Sequence, residues 1–421
     1  MKSHLLNFIF LLMSLLVSAQ FEPNYEESRV PQFQVPDPLI TFDGKKIQES
    51  ETWMKQRRPE LLRFFTQQVY GAVPGDLDNI SFTVLEKSRN ALDGKAIRKQ
   101  VAIRLQRKKK ELVVTLLLYL PKKQKRSPLF LGYNFYGNHT VGKDPAVLVP
   151  SCWSNNNEAM GVIQNRPTDA SRGLRAHRWP VEQIIEAGFG LCTLYYNEVD
   201  PDKNDLSDGL HALFYDSGQD MPQDNQWGSL AAWAFGLGRA MDYLETDRGV
   251  DGSKVVVFGH SRLGKTALWA GATDPRFAGV ISNNSGCGGA ALSKRQFGET
   301  VGRINNSFPH WFCANFKQFN ENEEALPVDQ HQLLALIAPR PLYVASAQED
   351  RWADPKGEFL SVYHASPVYG LFGKQGITQN TMPMANTPLQ NTLAYHIRTG
   401  KHDVTDYDWE QYIKWAEKFI K

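Results

Sequence analysis

Ser261 is the residue around which chemistry can be built. It lies just past Val255, Val256, Val257 and Phe258, an apolar and β-branched run, with Gly259 and His260 between. Beyond it Ala267, Leu268, Trp269 and Ala270 favour a helix. A serine on a sharp strand-to-helix turn exposes its hydroxyl at the top of a sheet as a nucleophile. Gly259 and Gly264 leave out side chains where strand and helix crowd each other. The usual pattern, Gly-x-Ser-x-Gly, asks for glycine at 263, and this chain has Leu263 there.

The same residues from 259 to 266 also satisfy G-x-x-x-x-G-K-[ST], a loop that cradles nucleotide phosphates on backbone N–H groups. The rest of the chain separates these two chemistries. A serine nucleophile needs a base, and the base needs a carboxylate to orient it. His402 stands between the expected last strand and last helix, where such a base belongs. His310, His331 and His364 lack that placement and are expected to be structural, and His396 to be packed within a strand. Among strand ends, the one after 277–283 offers Asn283, Asn284 and Ser285 but no acid, whereas the one after 341–347 offers Glu349, Asp350 and Asp354. Asp350 is the expected orienting acid, and Asp354, just before Pro355, fits a turn or cap. Serine, acid, histidine is the chain order of α/β-hydrolases. A nucleotide-binding loop, by contrast, usually follows the first strand of its domain, and here several strands precede it.

Those positions require elements to hold them. Residues 49–68 read as a helix with an apolar side, and 79–85, 96–105 and 112–120 as consecutive, antiparallel strands. From 129 onward strands alternate with helices: strands over 129–134, 189–196, 277–283, 341–347 and 392–397, helices over 181–187 and 226–244. A long Asn- and Arg-rich insertion spans 152–179, and a closing helix over 408–420 carries the stripe Trp409, Tyr412, Ile413, Ala416 and Ile420. Such alternation means a mostly parallel central sheet with helices on both faces, the α/β class, and here an α/β-hydrolase. The expected organisation is a signal peptide over 1–19, an N-terminal arm and helix packed on the core over 20–75, and one catalytic domain over 76–421.

The chain has 421 residues, 42% of them hydrophobic, with ten tryptophans, enough for a sizeable core. Its net charge of +2 points to no nucleic-acid partner. The basic clusters at 107–110 and 122–126 read as solvated loop ends. Lys2 and His4 lead the apolar run 5–17, and Val17, Ser18 and Ala19 supply small residues for cleavage before Gln20. The protein is therefore expected to be secreted or periplasmic, without a membrane anchor and as a monomer. Little ATP is met there, which weighs against the phosphate loop. The four cysteines, Cys152, Cys192, Cys287 and Cys313, leave disulfide pairing open.

With these residues in view the chain resembles the glucuronoyl esterases, carbohydrate esterase family 15. The resemblance rests on the run from Gly259 to Lys265, on Ser285 through Ala290, on Trp352 through Gly357 and on His402 through Thr405. It also accounts for Leu263, since the family's turn carries its glycine one place later. Many members have the triad glutamate where this chain has Asn284, and the likeness to bacterial members points to Asp350 instead. Fungal members have a disulfide-bonded cysteine before the nucleophile, and this chain has His260.

The resemblance implies cleavage of esters between 4-O-methyl-glucuronic acid on xylan and lignin alcohols, with a lignin–carbohydrate complex as partner and no cofactor or metal. Ser261 is expected to attack the carbonyl, with His402 as base. The backbone N–H of Arg262 is expected to hold the oxyanion, with its guanidinium as a further donor. Lys265, Glu299 and Trp352 match family positions that contact the sugar. Without the motif, the lysine would read as a solvated helix residue, the glutamate as surface and the tryptophan as core. The loop 135–139 stands where a second oxyanion loop belongs. An acetyl or feruloyl esterase is the alternative within enzymes, and a disabled hydrolase that grips glycans the alternative outside them.

Overall fold

The computed structural model describes residues 22–421, so the expected leader over 1–19 lies outside the described residues. Three long strands, β1 (Asn79–Ala91), β2 (Ala96–Arg107) and β3 (Lys110–Pro121), form an antiparallel lead-in. β1 runs past the expected 79–85 because a bulge after Val84 lets Glu86, Lys87 and Ser88 pair with Gln100, Lys99 and Arg98. β4 (Ser127–Asn134) follows, then a two-stranded ribbon of β5 (Val162–Ile163) and β6 (Arg166–Pro167) inside the insertion.

The remaining strands are β7 (Gly190–Tyr195), β8 (Val250–His260), β9 (Gly279–Asn283), β10 (Leu342–Ala347) and β11 (Leu393–Arg398). They join the lead-in as one nine-stranded sheet in the order β1-β2-β3-β7-β4-β8-β9-β10-β11. β7 lies antiparallel to β3, and every pair from β7 to β11 is parallel. All residues of β4, β7, β9, β10 and β11 are buried, as strands covered on both faces must be.

Helices Ser229–Thr246, Arg262–Thr273 and Pro355–Leu371 cover one face. On the other, Val181–Glu186 and Asp406–Phe419 bury Trp409, Tyr412 and Trp415 against Phe130, Phe258 and Tyr343. The helix expected from 226 starts at Ser229, because the preceding backbone pairs elsewhere: Trp227 N donates to Ala72 O at 3.0 Å and Gly228 N to Tyr70 O at 3.1 Å. The expected helix over 49–68 is a continuous coil in which the α turns Ser50–Thr52 and Arg58–Phe65 alternate with the wider π turns Trp53–Arg57 and Thr66–Tyr70. Those wider turns bring Tyr70 flat onto Trp269, with ring centroids 4.4 Å apart. Among the described residues no helix is long and apolar enough to cross a membrane.

Candidate active site

β8 ends at His260; Ser261 follows with its backbone at φ 58 and ψ −129, and the helix Arg262–Thr273 begins at the next residue. A non-glycine residue held in such a conformation costs of order 1–3 kcal/mol and persists because its surroundings fix it. Here Ser261 N donates to Asn283 O at 2.9 Å. A Cβ at Gly259 would sit 1.9 Å from Leu263 O, and one at Gly264 3.0 Å from Ser285 Cβ. The crowding therefore falls on 259 and 264, while the Leu263 side chain is free to fill the core. No open loop separates strand from helix to wrap a phosphate. Lys265 is turned to other work: its Nζ donates to Ser285 O at 2.5 Å and lies 3.7 Å from Glu299 Oε2.

His402 and Asp350 meet across two strand ends. Asp350 follows β10, His402 follows β11, and Asp350 Oδ2 lies 2.6 Å from His402 Nδ1. A carboxylate at that distance keeps the proton on Nδ1 and leaves Nε2 free to accept one. Burial pushes the Asp350 carboxyl up, but the hydrogen bond and charge of His402, with a bond from Asn284, outweigh it and hold the group below its ordinary range. Asn284, at the end of β9, is itself in a left-handed conformation, φ 48.

The loop carrying His402 is wound around one guanidinium. Arg398 donates to the carbonyls of Thr399, Lys401 and Asp403 at 2.9, 3.0 and 2.6 Å. Its Nε pairs with Asp408 Oδ2 at 2.7 Å, and the same carboxylate accepts from Thr405 N and from His396. Asp408 also accepts from Asn283 Nδ2 at 3.2 Å, whose Oδ1 lies 2.6 Å from His260 Nδ1. The His260 ring is 4.5 Å from that of His402. Burial first, then the neighbouring His402, keeps His260 neutral by holding it well below its ordinary range.

Arg262 points into the pocket and is tied back by an ion pair with Asp202. Asp202 is in turn fixed by His310 Nε2 and Trp311 Nε1, both at 2.8 Å, and the guanidinium carbon lies 4.7 Å from the Trp311 ring. Like the first residues of any helix, Arg262 leaves its N–H without an intrahelical acceptor. Glu299 is buried against Lys265; burial pushes its carboxyl up, opposed by Lys265 and by a hydrogen bond from Trp352. Ser261, Arg262, Lys265, Glu299, Asp350, Trp352 and His402 thus share the wall of one pocket of about 330 Å³. Of the loop 135–139, Phe135 packs edge-on against Tyr196 and His260, and His139 is buried on Thr168 O and Ser171 Oγ.

Asp202 and Glu358 are two contributors that the motifs do not announce. Asp202 follows the buried strand β7 with Asp200, so acids at a parallel strand's carboxyl end were the available signal. Glu358 sits inside a helix, where nothing in the sequence marks it. Its Oε1 accepts from Ser285 N at 2.8 Å and Gly286 N at 3.0 Å, and its Oε2 from Ser346 Oγ at 2.6 Å. Burial pushes this carboxyl up to about 8. Among the described residues no three His, Cys, Asp or Glu side chains gather as metal ligands, and all four cysteines are free thiols. A larger hollow of about 790 Å³ beside the helix Pro355–Leu371 contains none of the groups that line the serine pocket.

A family described as glucuronyl esterase, fungi, matches residues 175–373. A prokaryotic carbohydrate esterase, MZ0003, from an unknown organism, is 50% identical over 395 residues, 94% of this chain and 91% of that one. Among solved structures, a promiscuous CE15 esterase from a marine bacterial metagenome superposes with a TM-score of 0.89 at 49% identity, covering 94% of this chain and all of the other. A glucuronoyl esterase from Solibacter usitatus superposes at 0.88 and 46% identity, covering 93% of this chain and 99% of its own.

Proposed function

Because the chain belongs to the glucuronoyl esterases of carbohydrate esterase family 15, we propose that it cleaves 4-O-methyl-glucuronoyl esters joining glucuronoxylan to lignin alcohols. It is a carboxylic ester hydrolase with the α/β-hydrolase fold. In this reading Ser261 Oγ attacks the ester carbonyl and passes its proton to His402 Nε2. The oxyanion is held by the Arg262 N–H and guanidinium. His402 then gives that proton to the departing alcohol, leaving an acyl-enzyme on Ser261. Water, deprotonated by His402, frees the uronic acid and restores the serine. Asp350 keeps the imidazole in the right tautomer and stabilises it while charged.

The observation that carries this reading is the shared pocket: a strained serine, a carboxylate-held histidine, and Lys265 paired with Glu299 at 3.7 Å where sugar hydroxyls would lie. A pocket for an acetyl group alone has no use for that buried pair. Simple acetyl esters are the second reading, favoured by the relative described as promiscuous. Export from the cytoplasm belongs to the same proposal, supported by the charged start, apolar run and small residues of 1–19.

The test compares purified enzyme on benzyl glucuronate and p-nitrophenyl acetate, with Ser261→Ala as control. The wild type should prefer the glucuronate, and the variant should lose about 10⁴-fold or more in kcat while staying folded. Turnover by the variant sinks the serine mechanism, and a preference for acetate selects the second reading.

A further inference from the structure

We propose that residues 24–29 act as a positioning strap that fixes the sugar-facing wall of the pocket, Glu299 and Trp352, for a uronate ring. This rests on the assignment of that wall to the sugar.

The two wall residues come from separate segments that touch through their backbones. Glu299 N donates to Trp352 O at 3.0 Å, and a Cβ on Gly298 would meet Trp352 O at 2.4 Å. Only glycine at 298 lets the segments approach so closely. The Trp352 side chain also hydrogen-bonds the Glu299 carboxylate, so the position of either residue sets that of the other.

The N-terminal arm binds both segments from behind. Asn24 O accepts from Gly298 N at 2.8 Å, the peptide just before Glu299. The Tyr25 ring meets Phe297 edge-on at 6.1 Å, while the Arg351 guanidinium, next to Trp352, lies 5.1 Å from the Tyr25 ring and 5.8 Å from Phe297. Glu27 bridges the flanks, with Oε1 2.7 Å from Arg295 Nη2 and Oε2 2.7 Å from Lys356 Nζ. Arg295 continues to Asp354 at 2.8 Å. Residues 24–29 therefore hold 295, 297 and 298 on one side and 351 and 356 on the other, yet none of them lines the pocket. Their influence on substrate passes through Glu299 and Trp352.

The Glu27–Lys356 pair, exposed on both sides, is of a kind that adds little to global stability. Glu27 is 47% exposed, and ion pairs at such sites contribute little to folding. A strap of this sort should show itself in recognition of the sugar more than in melting.

The experiment uses the full chain with Tyr25→Ala, Glu27→Gln and Tyr25→Phe, beside Trp352→Ala as reference. KM and kcat are measured on benzyl glucuronate and on p-nitrophenyl acetate. Tyr25→Ala and Glu27→Gln should raise KM for the glucuronate about five- to tenfold, since small misplacements weaken a fitted site. Their kcat, and both constants on acetate, should stay within about twofold. Tyr25→Phe, which keeps the ring between Phe297 and Arg351, should behave as wild type. Equal losses on both substrates, or no loss with Glu27→Gln even if Tyr25→Ala misfolds, overturn the strap. If Trp352→Ala discriminates between substrates while the strap variants do not, the strap alone falls. If Trp352→Ala does not discriminate, the sugar assignment falls and the strap with it.

Discussion

One oxygen of Asp350 takes two hydrogen bonds: Oδ2 accepts from Asn284 Nδ2 at 2.8 Å and lies 2.6 Å from His402 Nδ1. The amide at the end of β9 therefore serves the carboxylate at the end of β10. An acid at 284 would compete for the same imidazole, whereas the amide supports the acid that is there.

Asp350→Asn should keep the fold and lower kcat by roughly 10²–10⁴. Asn284→Ala keeps the acid but withdraws a donor, so the Asp350 carboxyl should rise. A depressed carboxyl stabilises the fold above its unfolded value, and that contribution is lost as pH falls through the folded one. With Asn284 gone the loss should begin at higher pH, and the acid limb of activity should move the same way. An acid limb unchanged in Asn284→Ala would remove Asn284 from the charge balance of the site.

Lys265→Met keeps the buried stem of the side chain and removes its charge. On benzyl glucuronate the variant should lose about 1.5–3 kcal/mol in kcat/KM, the worth of a hydrogen bond from a charged donor. On p-nitrophenyl acetate it should be close to wild type. Equal losses would mean that Lys265 serves mainly to hold the Ser285 carbonyl.

Glu358 gives the fold a pH dependence of its own. Its carboxyl is pushed from 4.5 up to about 8 by burial, so between those values the folded chain keeps a proton that the unfolded chain releases. The stability linked to this group is fully present below its unfolded value and declines as pH rises through the folded one, by up to roughly 5 kcal/mol over that window. Glu358→Gln mimics the protonated form: its oxygen still accepts from Ser285 and Gly286, and its amide donates to Ser346. The variant should melt higher than wild type at about pH 8 and about equally at pH 5. Parallel melting curves across this range would show that Glu358 does not titrate there.

Arg398→Met should behave differently from Lys265→Met. It strips donors from three loop carbonyls and leaves Asp408 as a buried charge without its arginine partner, at a cost of about 3–5 kcal/mol. With the loop loosened, kcat should fall on both substrates alike. Pairing it with Asp408→Asn should recover part of the melting temperature but not the rate. Recovery of both would mean that the loop holds His402 without the guanidinium.

Features announced within a short stretch are legible from the sequence. The serine turn, the acid-rich end of β10 and the histidine before the closing helix are each marked by their immediate neighbours, and the fold brings all three to one pocket. The order β7-β4 within the sheet follows from helix-linked parallel strands rather than from any single residue. What the sequence hides is long-range pairing. Asp202 secures Arg262 across sixty positions, with His310 and Trp311 holding it still, and only folding brings them together. That the family's turn carries its glycine at 264 rather than 263 gains its physical reason only when Gly264 is seen packed on Ser285. The wide turns over 50–70 escape notice because a 3.6-residue apolar pattern tolerates an occasional extra residue.

Each cation in the pocket already has an acid beside it, Arg262 with Asp202 and Lys265 with Glu299. In the proposed reaction the ester that enters is neutral, and hydrolysis leaves a carboxylate beside cations whose charges are already shared with acids. On the proposed reaction the site should therefore hold the acid product no more tightly than the ester, and added glucuronate should inhibit only weakly.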